Sequence, residues 1–248
     1  MKLLTIECGD SKLPSAITLA ADKIKPKPQA NISMNVDVER FSVPAFKNEL
    51  FHWAPDIIVL DPPAWEPNLM KWGALLAETI RHTTVVSGRL VFVSGVDVLG
   101  DSQLRTEGAI AMPFTDRGEF LHTSEMLIET SLSSHYIMRF PNTIEDYSIR
   151  GKAGPHTPLY RGANERFTII NLEDMAKCII EKAQTGWYGK YHVTPNDSLI
   201  LSEVINLEYD KTKRIPDYSL ASKYDWPVSK SKDVWDKLVK EVSNDVNA

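Results

Sequence analysis

The sequence has little cysteine, no long hydrophobic run and no excess of basic residues. Only Cys8 and Cys178 occur among its 248 residues, so a disulfide framework is excluded and a reducing compartment is expected. No apolar stretch approaches the roughly 18 residues of a membrane helix, and the apolar start at Met1 is too short for a signal peptide. We therefore expect a cytoplasmic protein without a membrane partner.

The charge balance argues against a nucleic-acid partner. The chain carries 28 Lys and Arg against 33 Asp and Glu, a net charge of -5, whereas counterion release from a nucleic acid needs a basic face. No Cys and His cluster has zinc spacing. The hydrophobic share of 43% and the charged share of 25% are those of an ordinary globular protein, and the length suits one large domain with a substantial core.

Apolar runs alternate with helical patterns in the first half of the chain. The runs lack the polar alternation of a half-exposed sheet, which is typical of parallel strands covered on both faces. Strand, helix, strand, helix indicates a doubly wound α/β sheet. The predicted strands are residues 3–6, 57–60, 90–93 and 136–140, and the predicted helices are residues 14–23, 43–53, 69–83 and 123–133.

The second half is less regular. Residues 149–166 are rich in Gly, Pro and basic residues and predict a long loop. An apolar run at 167–170 is followed by Asn171, a good N-cap for an amphipathic helix. A strand at 191–193, a capped helix from Ser202 and a final helix at 233–242 complete the pattern. We therefore divide the chain into a domain at 1-148 and a smaller, interleaved α/β lobe at 149-248.

The ordered set of segments resembles the extended short-chain dehydrogenase/reductase superfamily, most of all dTDP-4-dehydrorhamnose reductases and NAD-dependent sugar-nucleotide epimerases. The resemblance implies a Rossmann-type doubly wound parallel sheet with a small C-terminal α/β substrate-type lobe. The segments that carry it are 55–60, 89–101, 121–129, 136–143, 167–183, 189–194, 199–203 and 222–238.

The cofactor turn of that superfamily is degenerate here. The family holds a dinucleotide over a Gly-rich turn, because glycines let the backbone approach the diphosphate. In the stretch 5–14 only Gly9 remains, Glu7 and Asp10 add carboxylates, and Ser11 and Lys12 partly compensate. The resemblance further assigns cofactor contacts to two more residues, which are Asp37, at the adenine position, and Ser94. We expect NADP or NAD to bind weakly or not at all.

The catalytic set is also replaced. The family uses a Ser or Thr hydroxyl together with a Tyr and a Lys that lowers the pKa of the Tyr. The matching positions are Gly95, Leu121 and Glu125; a shift by one places Phe120 and Ser124 there. We therefore predict a catalytically degenerate relative that serves as a binding, regulatory or structural subunit. The alternative is an active NAD(P)-dependent reductase or epimerase with rearranged groups, such as His122 or Asp97.

Two further predictions concern ligands and partners. The resemblance places Asn142, Arg150 and Arg161 near the diphosphate of a nucleotide sugar, where arginine forks suit phosphate oxygens; a solvated basic loop is the other interpretation. A protein partner or a homo-oligomer paired through helix 123–133 is also expected.

A different chemistry is suggested by Asp61-Pro62-Pro63, which is followed by Ala64-Trp65. Asp-Pro-Pro with an aromatic residue is similar to an S-adenosylmethionine-dependent amino-methyltransferase motif. Ala64 separates the aromatic residue from the prolines, however, and no Gly-rich loop for that cofactor is present. The other interpretation is a turn at the end of a strand, which Pro-Pro would terminate.

Overall fold

A parallel sheet of six strands forms the centre of the molecule. The computed structural model describes residues 1–9, 11–23, 25, 27–64, 68–100, 106–143, 166–185, 188–200 and 220–246. The strands of the main sheet are β1 (Lys2–Glu7), β2 (Ala30–Asn35), β3 (Ile57–Asp61), β4 (Arg89–Gly95), β5 (Ser134–Phe140) and β9 (Gly189–His192), in the order β2-β1-β3-β4-β5-β9.

Helices cover both faces of this sheet. They are α1 (Leu13–Lys23), α2 (Val43–Trp53), α3 (Leu69–Val85), α4 (Asp116–Glu129) and α5 (Leu172–Thr185). A further helix, α6 (Ser231–Val246), packs beside the short strand β8 (Ile169–Ile170). Two short pairs of strands lie beside the main sheet: β6 (Asn142–Thr143) with β8 (Ile169–Ile170), and β7 (Arg166–Phe167) with β10 (Leu199–Ile200). Among the residues described, no helix is long and apolar enough to cross a membrane.

The alternation of side chains along each strand produces two separate cores. On β4, Val91 and Val93 point towards α1 and α5, whereas Leu90 and Phe92 point towards α2, α3 and α4. Because helices cover both faces, every residue of β3 is buried. This explains why β3 and its neighbours read as continuous apolar runs.

The four predicted strands and the first three predicted helices are confirmed, with small changes of boundary. The fourth helix was predicted too late: α4 begins at Asp116, because the Thr115 side chain accepts a hydrogen bond from the Gly118 amide at 3.0 Å and caps it. Strand β2 was not singled out, since its residues alternate between polar and apolar. The predicted helix from Ser202 lies outside the described residues.

Residues from the second half complete the main sheet. β9 pairs in parallel with β5, and α5 packs beside α1 on one face. Asn171 caps α5 as predicted, because its side-chain oxygen accepts from the Asp174 amide at 2.8 Å. The division at 148/149 stays a prediction.

The strand order creates a crevice at one end of the sheet. From β1 the chain passes to β2 on one side and then to β3 on the other. The loops after β1 and β3 therefore diverge, and a ligand site is expected outside the carboxyl ends of these strands.

Candidate functional site

A cavity of about 340 Å³ lies at that end of the sheet. The loops after β1, β3, β4 and β5 and the start of α5 form its walls. The cavity is lined by three residues predicted to contact a cofactor, which are Gly9, Ser11 and Lys12. Ser94, a fourth such residue, lines the cavity from β4. The structure therefore brings four of the five predicted cofactor residues together.

The beginning of α1 offers few donors to a phosphate group. The Ser11 hydroxyl accepts a hydrogen bond from the Leu13 amide at 3.0 Å, and Pro14, the next residue of the helix, has no amide hydrogen. Since anions bind at a helix N-terminus through free amide hydrogens, this turn does not fit the diphosphate of a dinucleotide well.

Charges of both signs line the cavity. Lys12 and Arg117 supply the cations, and Asp61 and Asp97 supply carboxylates. The Arg117 guanidinium lies 3.4 Å from the Asp97 carboxylate and donates at 2.9 Å to the Pro63 carbonyl. An incoming phosphate would therefore meet a cation that already has a carboxylate partner, and Asp61 would repel it.

Gly95 and Leu121, which the resemblance matches to the family's hydroxyl and tyrosine, lie close together. A Cβ added to Gly95 would lie 3.6 Å from a methyl carbon of Leu121 and 3.6 Å from an Asp97 oxygen. Leu121 is fully buried. Neither Gly95 nor Leu121 has a side chain that can move a proton, so neither position supplies an acid or a base.

Glu125, at the lysine position, is buried in a charged network. It lies in the layer between α4 and the sheet and is fully inaccessible to solvent, as is Arg139 of β5. Arg139 donates from Nε to one Glu125 oxygen at 2.9 Å and from Nη2 to the other at 2.6 Å. The Ser94 hydroxyl donates to the first oxygen at 2.7 Å. Both carboxylate oxygens are thus engaged in short, charge-assisted hydrogen bonds.

Strand register explains how this network assembles. Ser94, Arg139 and His192 are register partners on three adjacent strands, β4, β5 and β9. The nitrogen Nη1 of Arg139 lies 3.3 Å from Nε2 of His192, and Nδ1 of His192 lies 3.1 Å from the Ala221 carbonyl. Because a guanidinium only donates, the contact with Arg139 requires Nε2 of His192 to accept, and Nδ1 then lies where it can donate to the Ala221 carbonyl.

The network keeps Glu125 ionised. Burial alone would raise the pKa of Glu125, but the Arg139 hydrogen bonds and charge, the Ser94 hydroxyl and the Lys190 ammonium outweigh it and lower that pKa. Lys190 lies 3.7 Å from Glu125 and 2.8 Å from Glu129. A carboxylate held in this way is poorly suited to accept or donate protons at neutral pH.

The alternative alignment, shifted by one residue, provides no replacement for the catalytic groups. Phe120 packs edge-on against Trp72, and Ser124 accepts a hydrogen bond from the Trp72 indole at 2.9 Å inside the core. His122 does not belong to the described lining of the cavity, and its Nδ1 is buried without a hydrogen-bond partner in the described part of the chain. Of the two proposed substitutes, only Asp97 faces the cavity.

Other predicted residues lie elsewhere. Asp37 follows β2 and caps a short 3-10 helix by accepting from the Glu39 amide at 2.9 Å; it is not among the residues described as lining the cavity. Asn142 belongs to β6. Asp10, Arg150 and Arg161 fall outside the described residues, so their roles stay predictions.

Sequence reasoning missed Arg139, His192, Arg117 and the position of Asp61. Arg139 had a visible signal, since a lone arginine inside a run predicted to be a buried strand requires a buried acid. Arg117 is brought to the cavity by tertiary packing and has no such signal, whereas Asp61 had one, since it directly follows a run predicted to be a buried strand. Within the described ranges, no three His, Cys, Asp or Glu side chains could hold a metal ion.

Comparison with known proteins identifies the fold. No family model and no curated protein matches the sequence. A dTDP-4-dehydrorhamnose reductase from Clostridium acetobutylicum matches with a TM-score of 0.74 and 14% identity, over 98% of this chain and 100% of that one. The Bacillus anthracis reductase, solved with NADP, gives 0.69 and 14% over 97% and 99%. Thermotoga maritima UDP-glucose 4-epimerase, solved with UDP-glucose, gives 0.71 and 10% over both full chains.

This chain therefore shares its fold with these two reductases and with the epimerase. The predicted fold class, a Rossmann-like parallel sheet with flanking helices, is confirmed by these neighbours.

Proposed function

We propose that this chain is a catalytically inactive relative of the sugar-nucleotide reductases and epimerases and serves as a binding, regulatory or structural subunit in the cytoplasm. One observation supports the proposal. Glu125, which the resemblance matches to the family's lysine, accepts hydrogen bonds from Arg139 and Ser94 in the protein interior.

The usual proton relay needs a phenol whose pKa is lowered by a nearby cation. Leu121 replaces the phenol, and an anion replaces the cation. Ser94 retains a hydroxyl at the cavity wall, but that hydroxyl already donates to Glu125. The three positions therefore support packing and not proton transfer.

The dinucleotide also fits poorly. The cap formed by Ser11, the missing amide of Pro14 and the carboxylate of Asp61 all disfavour a diphosphate at α1. We therefore expect NADPH and NADH to bind weakly or not at all. A nucleotide sugar or a protein partner stays the ligand class that this proposal expects.

Asp97 favours one competing function, an active reductase or epimerase. Its carboxylate faces the cavity beside Arg117 and could serve as an acid or base there. The methyltransferase alternative has weaker support. Asp61 and Pro62 line the cavity, but Ala64 separates the aromatic residue from the prolines and the sequence has no Gly-rich loop for that cofactor.

Calorimetric titration of the full chain with NADPH, NADH, UDP-glucose and S-adenosylmethionine tests these functions, with turnover followed in parallel. We expect no micromolar binding of either dinucleotide and no turnover. Lys12→Met, which removes a cavity cation, should weaken the binding of any anionic ligand. Lys47→Met should not, because Lys47 pairs with Glu78 of α3 at 3.2 Å and is not among the residues described as lining the cavity. Micromolar NADPH binding with turnover that Asp97→Asn abolishes would overturn the proposal, and S-adenosylmethionine binding would support the methyltransferase.

A further inference from the structure

The charged side chains of the cavity are arranged by depth. Its two carboxylates are the less accessible groups, since Asp61 is 8% exposed and the side chain of Asp97 is 14% exposed. Its two cations lie nearer to solvent, since the side chain of Arg117 is 36% exposed and Lys12 is an exposed residue. A ligand that enters the cavity therefore meets cations at the mouth and anions inside.

The least exposed polar groups of the cavity wall only accept hydrogen bonds. The two carboxylates carry no proton to donate when ionised. The hydroxyl of Ser94, a residue that is 5% exposed, donates its hydrogen to Glu125 at 2.7 Å, so it offers only oxygen lone pairs to the cavity. Pro62 and Pro141 of the same wall have no amide hydrogen. A ligand must therefore bring its own hydrogen-bond donors to these buried acceptors, which are Asp61, Asp97 and Ser94.

The size and the apolar lining of the cavity limit the ligand further. Its volume of about 340 Å³ lies at the lower end of the range of roughly 300–1,000 Å³ for small-molecule sites. Apolar side chains complete the wall, among them Leu13, Val93, Phe140 and Met175. These features suit a group of monosaccharide size, whose carbon faces pack on the apolar wall while its hydroxyls donate. A dinucleotide is much larger.

We propose that the cavity takes a glycosyl phosphate with its sugar end inside. The sugar hydroxyls donate to the buried acceptors, and the phosphate stays at the mouth beside Lys12 and Arg117. This inference rests on the proposed function as a binding subunit and names the ligand chemistry of the same site. A free sugar phosphate and the glycosyl end of a nucleotide sugar both carry this chemistry.

The acceptors can each serve more than one hydroxyl. A carboxylate has two oxygens and about four lone-pair sites, so one aspartate can accept from two neighbouring hydroxyls of a sugar ring. Gly95 leaves space beside Asp97, since a Cβ added to Gly95 would lie 3.6 Å from an Asp97 oxygen. The crevice that the resemblance assigns to a dinucleotide thus becomes a sugar site in this chain.

Calorimetric titration of the full chain with matched phosphates tests the proposal. The probes are the 1-phosphates of glucose, galactose and mannose, so that one unsuitable hydroxyl configuration does not hide the site. Cyclohexyl phosphate is the control probe, because it keeps the ring and the phosphate but has no hydroxyl. At least one sugar phosphate should bind about tenfold tighter or more, because a site built to hydrogen-bond ligand hydroxyls rejects an analogue that lacks them.

UDP-glucose distinguishes the two sources of the glycosyl phosphate. Tighter binding of UDP-glucose than of glucose 1-phosphate would indicate a nucleotide sugar as the ligand, and weaker binding would indicate a free sugar phosphate.

The variant Asp61→Asn should affect the two kinds of probe differently. It removes both an acceptor and a negative charge, so the best sugar phosphate should bind about tenfold more weakly, while cyclohexyl phosphate should bind equally well or more tightly. Asp22→Asn is the matched control and should change neither, because Asp22 of α1 is 58% exposed and pairs with Lys27 at 2.7 Å. Urea unfolding checks that Asp61→Asn is folded, and the comparison of probes on the wild type decides without it.

Three results would overturn the proposal. They are the failure of all three sugar phosphates to bind, equal or tighter binding of cyclohexyl phosphate, and an equal effect of Asp61→Asn on both kinds of probe. None of them bears on catalytic inactivity, which is tested by turnover. Turnover of a nucleotide sugar would instead contradict the proposed function and leave the sugar site in place.

Discussion

Replacing Glu125 with Gln should destabilise the protein strongly, although the two side chains have nearly the same shape. The substitution removes the negative charge that faces Arg139, which has no solvent access. It also replaces one acceptor oxygen by an amide that donates, opposite a guanidinium or hydroxyl that donates too. Breaking a buried ion pair from one side costs about 3–5 kcal/mol.

The neighbouring groups set limits on this magnitude. Lys190 keeps a carboxylate partner after this change, because Glu129 lies 2.8 Å from its ammonium. The cost therefore arises from Arg139 and from the Ser94 hydroxyl. For a chain of this length, about 4 kcal/mol corresponds to a fall of roughly 10 °C in melting temperature.

Urea and thermal unfolding followed by tryptophan fluorescence would measure the effect. The matched control is Glu129→Gln, which removes an exposed partner of Lys190 and should change the free energy of unfolding by less than about 1 kcal/mol. The pair Glu125→Leu with Arg139→Met should recover most of the loss, since apolar replacements of buried ion pairs are often nearly neutral. Full stability of Glu125→Gln would contradict the assignment of Glu125 as a structural ion.

Three further outcomes are expected. Glu125 has a lowered pKa in the folded state, so its contribution to stability is present above the ordinary pKa near 4.5 and is lost as the pH falls through the folded pKa. Between pH 7 and 3, urea unfolding should therefore show a smaller loss of unfolding free energy for Glu125→Gln than for the wild type. Gly100→Ala should lower the free energy of unfolding by more than about 2 kcal/mol, because Gly100 has φ +45° and an added Cβ would lie 1.9 Å from the Met112 carbonyl oxygen. The control Gly73→Ala lies in α3 and its added Cβ would meet nothing within 4 Å. In the same unfolding assay it should be neutral or stabilising by up to about 1 kcal/mol. Burial raises the pKa of the Cys178 thiol to about 12 and that of Cys8 as well, so a disulfide reagent should label neither in the native protein and both in urea; rapid native labelling would contradict their burial.

The main sheet was predictable wherever its strands are buried on both faces. β3, β4 and β5 read as continuous apolar runs because helices cover them on both sides. β2 was not predicted, because it is an edge strand with one exposed face and its Asn and Ser residues resemble those of a loop. The start of α4 was missed because its first turn, Asp116 to Glu119, is polar and only Thr115 marks it.

The site was predictable in position but not in chemistry. Gly9, Ser11, Lys12 and Ser94 line one cavity, since the carboxyl ends of parallel strands meet there; their role in cofactor binding stays a prediction. The alignment of Glu125 with the family's lysine was made from the sequence alone and stays a prediction. The ion pair of Glu125 with Arg139 could not be deduced from spacing, because strand register and helix packing bring the two together across the layer between α4 and β5.

Hydride transfer itself is the most direct test of the account. NADPH carrying deuterium at the transferable C4 position would be incubated with the full chain and a nucleotide-linked 4-keto sugar, and the sugar would be examined by mass spectrometry. We predict no deuterium in the sugar above the enzyme-free control, because no proton donor stands at Leu121 and no cation stands at Glu125. A deuterated sugar that forms with the wild type and disappears with Asp97→Asn would show an active enzyme and contradict the proposed function.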